Sequence, residues 1–236
     1  MRKRFFRNIG LISISLCCFL WTACSTTTSQ SDAQALFEEK YKELQNRESL
    51  HYTVEQTNEY RNGAFGTSTI NAWCHGEDYL HVYTNDDGRS EYSLAQGGNQ
   101  FRAESAQPVQ FPEWKSGTTY GPRNVWGTKW EDFEYVFESA SRENGQLNIT
   151  YFKDHGSGNC TVSRQTSRIT MHLDENNVLQ SITYVFTTYQ STDIDESKVY
   201  SVKTSIYTLL QDDAAAVSAA IDEQYQQIIK GSEKKN

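Results

Sequence analysis

The sequence predicts an α+β domain: a single curved antiparallel β-meander of about ten strands, a half-barrel, with N-terminal and C-terminal helices packed on it. Three observations predict it. Between residues 49 and 210 apolar side chains recur at a period of two, broken by short Gly/Asn/Asp turns. Both flanking stretches instead carry apolar residues at helical spacing. The 14 tyrosines, the many β-branched residues and only 3 prolines in 236 residues favour strands over helices in between.

The elements follow in order. Ser31 with Gln34 predicts a capping box, and Leu36, Phe37, Tyr41 and Leu44 predict an amphipathic helix over 32–47. Leu50, Tyr52 and Val54 then alternate with His51, Thr53 and Glu55, the mark of a half-buried strand. Asn62-Gly63 turns the chain into a strand at 65–74, and further turns separate strands at 79–84, 89–95 and 100–104. After a long break the meander resumes at 133–141, 147–153, 160–173, 179–189 and 198–210. Asp212 or Asp213 caps a last helix with Val217, Ile221, Tyr225 and Ile228 on one face, and Gly231 is expected to stop it. Strands joined by such short turns pair antiparallel.

The break, 105–131, holds all three prolines together with Phe111, Trp114, Tyr120, Trp126 and Trp130. Long loops in compact domains carry function more often than the strands that hold them. Trp114, Tyr120, Trp126 and Trp130 are therefore the candidate ligand-binding residues, since indoles and phenols stack on sugars, lipids or partner side chains. The alternative is that they close the end of the barrel as satellite core.

The first residues read as an export signal. Arg2, Lys3, Arg4 and Arg7 precede an apolar run over 9–21, too short and badly flanked to span a membrane. Trp21-Thr22-Ala23-Cys24 resembles the bacterial lipobox, with Trp21 where that motif normally has Leu and Leu20 one residue early. The resemblance implies cleavage before Cys24, a diacylglyceryl lipid on its thiol, and a cell-membrane-anchored protein facing the extracytoplasmic side. An ordinary signal peptide or an uncleaved anchor are the alternatives. The division expected is a signal peptide at 1–23, a flexible tether at 24–31, one domain at 32–231 and a charged tail at 232–236. Of the 22 Lys+Arg four leave with residues 1–23, so 18 face 30 Asp+Glu, a formal charge of −12. Such a surface argues against nucleic acid and against broad contact with an anionic membrane face.

With its order of helix, strands, loop, strands and helix, the lipobox-bearing chain resembles the LolA/LppX-like group of half-barrels and surface lipoproteins of Gram-positive bacteria with that architecture. The resemblance covers about 35–230 and rests on element order. It implies helices in the open side of the half-barrel and an apolar or amphiphilic ligand held between sheet and helix. A cell-surface protein–protein interaction module is the second reading, and a hydrolase the remote third.

Catalytic signals are weak. Asp154-His155-Gly156-Ser157-Gly158 lacks the strand-to-helix setting of a nucleophile elbow. The five histidines, His51, His75, His81, His155 and His172, form no metal-binding spacing. Asp86-Asp87-Gly88 and the acidic run 193–196 lack the ligand count of a calcium loop. No cofactor, metal or enzymatic activity is expected. Cys17 and Cys18 leave with the signal, so Cys74 and Cys160 remain as a candidate disulfide or as two separate thiols.

Overall fold

The structure is a computed structural model, and it describes residues 28–105, 115–117, 125–157, 163–211 and 213–233. The first helix, α1 (Gln30–Asn46), begins two residues before the predicted start. Its cap is Ser29, not Ser31. The Ser29 Oγ accepts the Asp32 N–H at 3.2 Å and donates to the Asp32 carboxylate at 2.6 Å. The carboxylate also sits against the positive end of the helix dipole, which Gln34 cannot match. Ala33, Phe37, Tyr41 and Leu44 form its buried stripe.

Five strands follow in hairpin succession: β1 (Ser49–Tyr60), β2 (Phe65–His75), β3 (Asp78–Asn85), β4 (Ser90–Gln96) and β5 (Asn99–Ser105). A two-residue strand, β6 (Lys115–Ser116), pairs with β5. The second meander comprises β7 (Val136–Glu143), β8 (Gln146–Ser157), β9 (Arg164–Leu173), β10 (Leu179–Tyr189) and β11 (Val199–Gln211). Asn144 and Gly145 join β7 to β8 with φ of 52° and 83°, the two left-handed conformations that a tight hairpin of this kind needs. All eleven strands form one open antiparallel sheet in the order β6-β5-β4-β3-β2-β1-β11-β10-β9-β8-β7. The first and last strands of the two meanders thus pair at its centre, and the middle of the chain supplies both edges.

Alternation along β2 separates the two faces. Ile70 and Ala72 belong to the cluster under α1, whereas Trp73 joins the cluster under the last helix, α2 (Ala214–Glu233). Successive side chains of one strand point to opposite faces, so the helices lie on opposite sides of the sheet. The inner face carries α1 against Tyr52, Val54, Ile149, Ile169 and Met171. The outer face carries α2, whose Val217 and Ile221 pack on Leu80 and Leu94, with Tyr225 half-buried against Phe101. The expectation of helices in the open side therefore holds for α1 alone. Apolar residues on both faces of β2 to β4 allow α2 to dock outside. Asp213 caps α2 by accepting the Ala215 and Ala216 N–H groups, and the helix continues through Gly231 to Glu233. A helical glycine lowers stability by about 1 kcal/mol without ending a helix already docked by its other side chains.

Ile221 is 1% exposed. Ile221→Asp buries an unpaired charge or expels α2, and is expected to cost at least ~3 kcal/mol in urea unfolding. An unchanged midpoint would mean that α2 is not docked.

Candidate functional site: a cavity on the inner face

Inner-facing side chains change character along the strands. One row across the sheet reads Val54, Tyr207, Ile182, Met171 and Ile149. The next reads Gln56, Ser205, Tyr184, Ile169 and Tyr151. The third reads Asn58, Lys203, Phe186, Ser167 and Lys153. The first row is dry core, the third mostly polar, and the second the boundary between them.

The chain must pass from the edge at β6 to the edge at β7, and residues 125–135 lie on the inner face as part of that crossing. Trp126 is 3% exposed and sets its indole edge-on against Tyr52 and Tyr207, at 5.3 and 5.5 Å between centroids. Helix α1 holds the crossing backbone: the Tyr41 hydroxyl donates to the Thr128 carbonyl at 2.9 Å, and the Gln45 amide donates to the Trp126 carbonyl at 3.0 Å. Trp130 and Phe133 then stack at 4.8 Å beside Tyr41. Burial pushes the Tyr41 phenol above its ordinary pKa, so it stays a donor.

Between this crossing and the sheet lies a cavity of about 840 Å³. One side is aromatic and aliphatic, with Val125, Phe133, Ile169 and Tyr207. The other is polar, with Gln56, Ser93, Glu91, Arg102 and Lys203. A hydroxyl network backs one wall: Ser167 Oγ bonds Tyr135 OH at 2.9 Å and His155 Nε2 at 2.8 Å. Burial raises the pKa of Tyr184, which joins that network, and raises Tyr207 to about 12. Tyr41, Tyr184 and Tyr207 thus face the cavity as neutral phenols that offer hydrogen bonds without charge. A second cavity of about 790 Å³ lies at the C-terminal end of α1, beside Leu50, Trp126 and Trp130.

The sequence-predicted residues distribute unevenly. Trp126 is core, and its indole fixes the crossing segment. Trp130 is half-buried and faces the second cavity. Trp114, Tyr120, Cys160 and Cys24 lie outside the described residues. The first cavity is lined instead by neighbours of the tryptophans, and by Tyr184, Tyr207 and Arg102, which sequence reasoning missed. Their signal was a switch within one strand face: Tyr52 and Val54 give way to Gln56 and Asn58, and Tyr207 to Ser205 and Lys203.

Cys74 is a free, half-buried thiol on the inner face, its pKa raised to about 12 by burial. It pairs with Leu50 at one end of the sheet. Cys160 lies outside the described residues, between Ser157 and Ser163.

The Asp154–Ser157 segment forms no nucleophile elbow. It continues β8, Asp154 binds Arg164 in a two-pronged ion pair, and His155 reaches the buried Ser167 rather than Ser157. His81 lies on the inner face and His172 on the outer, where Asn148 and Thr183 hold its two ring nitrogens at 2.7 and 2.8 Å. Among the described residues no group of three His, Cys, Asp or Glu side chains is placed to hold a metal. Asp87 and Asp195 use their carboxylates on turn N–H groups.

No protein-family model and no curated protein sequence matches the chain. Among solved structures, it is similar to a LolA superfamily protein from Nitrosomonas europaea. The identity is 11% and the TM-score 0.29, over 76% of this chain and 94% of that one.

Two predictions follow from this geometry. Trp126→Ala removes a buried indole and is expected to cost ~3–5 kcal/mol of stability, read by denaturant unfolding; a loss below ~1 kcal/mol would show that the crossing is held otherwise. His81 and His172 have folded pKa values below 6.5 through burial, and His155 through burial and the nearby Lys153. The unfolded chain then takes up protons first on acidification, so stability is full above about pH 6.5 and falls as pH drops through it. The melting temperature is expected to be lower at pH 5.5 than at pH 7.5, with a shallower slope in the triple His→Gln variant. An equal slope would assign the pH dependence to other groups.

Proposed function

We propose that this chain is a lipid-anchored extracytoplasmic protein that binds an apolar or amphiphilic ligand in its inner-face cavity, without catalysis. The observation that supports this most is the lining. A cavity of about 840 Å³ passes from an aromatic, aliphatic side to a polar one, the profile of a molecule with an apolar chain and a polar end. Neutral phenols and an aliphatic floor suit van der Waals contact and orientation. The basic, apolar and Cys24-terminated leader supports the anchor, and no helix of the described residues is long and apolar enough to cross a membrane.

Two measurements test the two halves. Cys24→Ala is expected to release the protein from membranes or leave the precursor uncut; a variant that still fractionates as mature, membrane-bound protein would refute the anchor. For the cavity, Ile70→Trp adds bulk from a half-buried position on its wall. It is expected to abolish binding of the apolar fluorophore N-phenyl-1-naphthylamine while changing stability by less than ~3 kcal/mol. Undiminished binding would place the probe elsewhere.

One observation favours a second reading, a cell-surface protein–protein module. Tyr60, Phe65, Ile194 and Tyr200 are exposed at one end of the sheet, where the β1–β2 hairpin meets the start of β11 through the Arg61 N–H and the Tyr200 carbonyl at 2.8 Å. Cross-linking on intact cells separates the readings: a single recurrent protein partner at this patch supports the second.

A further inference from the structure

Resting on the binding reading above, we infer that Tyr207 is the selective polar contact of the inner-face cavity. Its phenol hydrogen-bonds an uncharged oxygen of the occupant, a hydroxyl or an ester carbonyl.

Most polar groups of the wall are committed to one another. The Tyr41 hydroxyl donates to the Thr128 carbonyl at 2.9 Å, and Tyr135 and Tyr184 share the Ser167 hydroxyl. Gln56 is held at both ends of its amide: Nε2 donates to Ser205 Oγ, and Oε1 accepts from Ser68 Oγ, each at 3.2 Å. Arg102 lies between two carboxylates, Glu104 at 3.3 Å and Glu91 at 3.8 Å, and Lys203 is engaged as well. Burial holds the pKa of His81 below 6.5, so its ring is neutral at pH 7.5. Among the described residues the wall thus offers an occupant no unanswered charge. An ionised group buried there would lack a counter-ion.

Tyr207 differs from the other phenols. It is only 6% exposed, yet its hydroxyl makes no hydrogen bond among the described residues. Nor is its oxygen one of the sealed, unbonded polar atoms there, so it opens on the cavity that its ring lines. The indole of Trp126 holds that ring edge-on at 5.5 Å, and the cross-strand neighbours Val54 and Ile182 give it no polar group to turn to. With its pKa raised to about 12 by burial, the phenol keeps its proton and both gives and accepts a hydrogen bond. Tyr83 and Ser93 face the same cavity but are half-exposed, where water serves their hydroxyls.

An occupant that covers the Tyr207 hydroxyl without a polar atom leaves it dry and unpaired, a loss of roughly ten-fold in affinity. One that brings an oxygen keeps the bond. The hydroxyl therefore sorts uncharged amphiphiles from hydrocarbons, and the lack of a counter-ion sorts them from ions.

The test uses the full chain carrying Cys24→Ala, which takes up no acyl group of its own, with and without Tyr207→Phe. Diphenylhexatriene, a fluorophore with no polar atom, reports the cavity. At pH 7.5 it is displaced by 1-decanol, methyl decanoate or decanoate, each below its aggregation threshold. The expected result is that at least one uncharged ligand binds more tightly than decanoate and is weakened about five-fold by Tyr207→Phe, the worth of one hydrogen bond. Diphenylhexatriene is expected to bind the variant as tightly as the native chain, or tighter. Loss confined to 1-decanol identifies a hydroxyl that donates to the phenol, and loss with methyl decanoate an ester carbonyl that accepts from it. The urea midpoint is expected to stay unchanged, because the deleted oxygen bonds nothing in the protein. A lowered midpoint, or a variant that does not fold, gives that oxygen a structural partner and overturns the proposal. Uncharged ligands that bind both chains equally overturn the hydrogen bond, and decanoate binding tightest overturns the uncharged end; either leaves the cavity reading standing. Failure to bind diphenylhexatriene or any of the three ligands overturns the cavity reading itself.

Discussion

The pairing of β1 with β11 is the constraint on which the rest of the molecule depends. The register Val54–Tyr207, Gln56–Ser205 and Asn58–Lys203 joins the beginning and the end of the chain at the centre of the sheet. Once those strands are neighbours, the two meanders run outwards in opposite directions and their far strands become the edges. The chain between them has to travel from one edge to the other. Residues 125–135 lie over the inner face, and a cavity is left beneath them. Pairing across so many residues requires closing a long loop before any contact rewards it, which makes the sheet intrinsically slow to complete.

Aromatic side chains fix the crossing. Trp126 is seated between Tyr52 and Tyr207, one residue from each of the two central strands. Tyr41 and Gln45 then satisfy carbonyls of a segment that has no strand partner of its own there. The cavity is thus bounded by pieces with structural duties, and its apolar end is continuous with the core. Its polar end arises because Gln56, Ser205 and Lys203 occupy inward positions that a filled core would give to aliphatic residues.

Much of the fold was legible from local signals. Period-two alternation located the strands of both meanders, and the Leu36/Phe37/Tyr41/Leu44 stripe located α1. What was not legible is of two kinds. Some of it was local competition: Ser29 and Ser31 both offer an N-cap, and Asp32 three residues on decides for Ser29. The rest is tertiary. Trp73, Leu80 and Leu94 on one face of the first meander and Ile70 and Ala72 on the other are equally apolar. The sequence alone therefore does not say on which face α2 docks. The cavity residues were hidden for a related reason. Attention to the tryptophans picked the heaviest aromatics, and heavy aromatics near a core are the ones most rewarded for burial. The more telling signal was polar residues at inward parity, at Gln56, Ser205 and Lys203.

The central claim is that the inner face holds a ligand chain. Native mass spectrometry of the protein gently extracted from its own membranes tests it most directly. A population carrying one non-covalent adduct that dissociates at low collision energy, and is absent from the cavity-filled variant, is the predicted result. Bare protein under the same conditions, with no uptake of added amphiphile in the spectrometer's source solution, would contradict it.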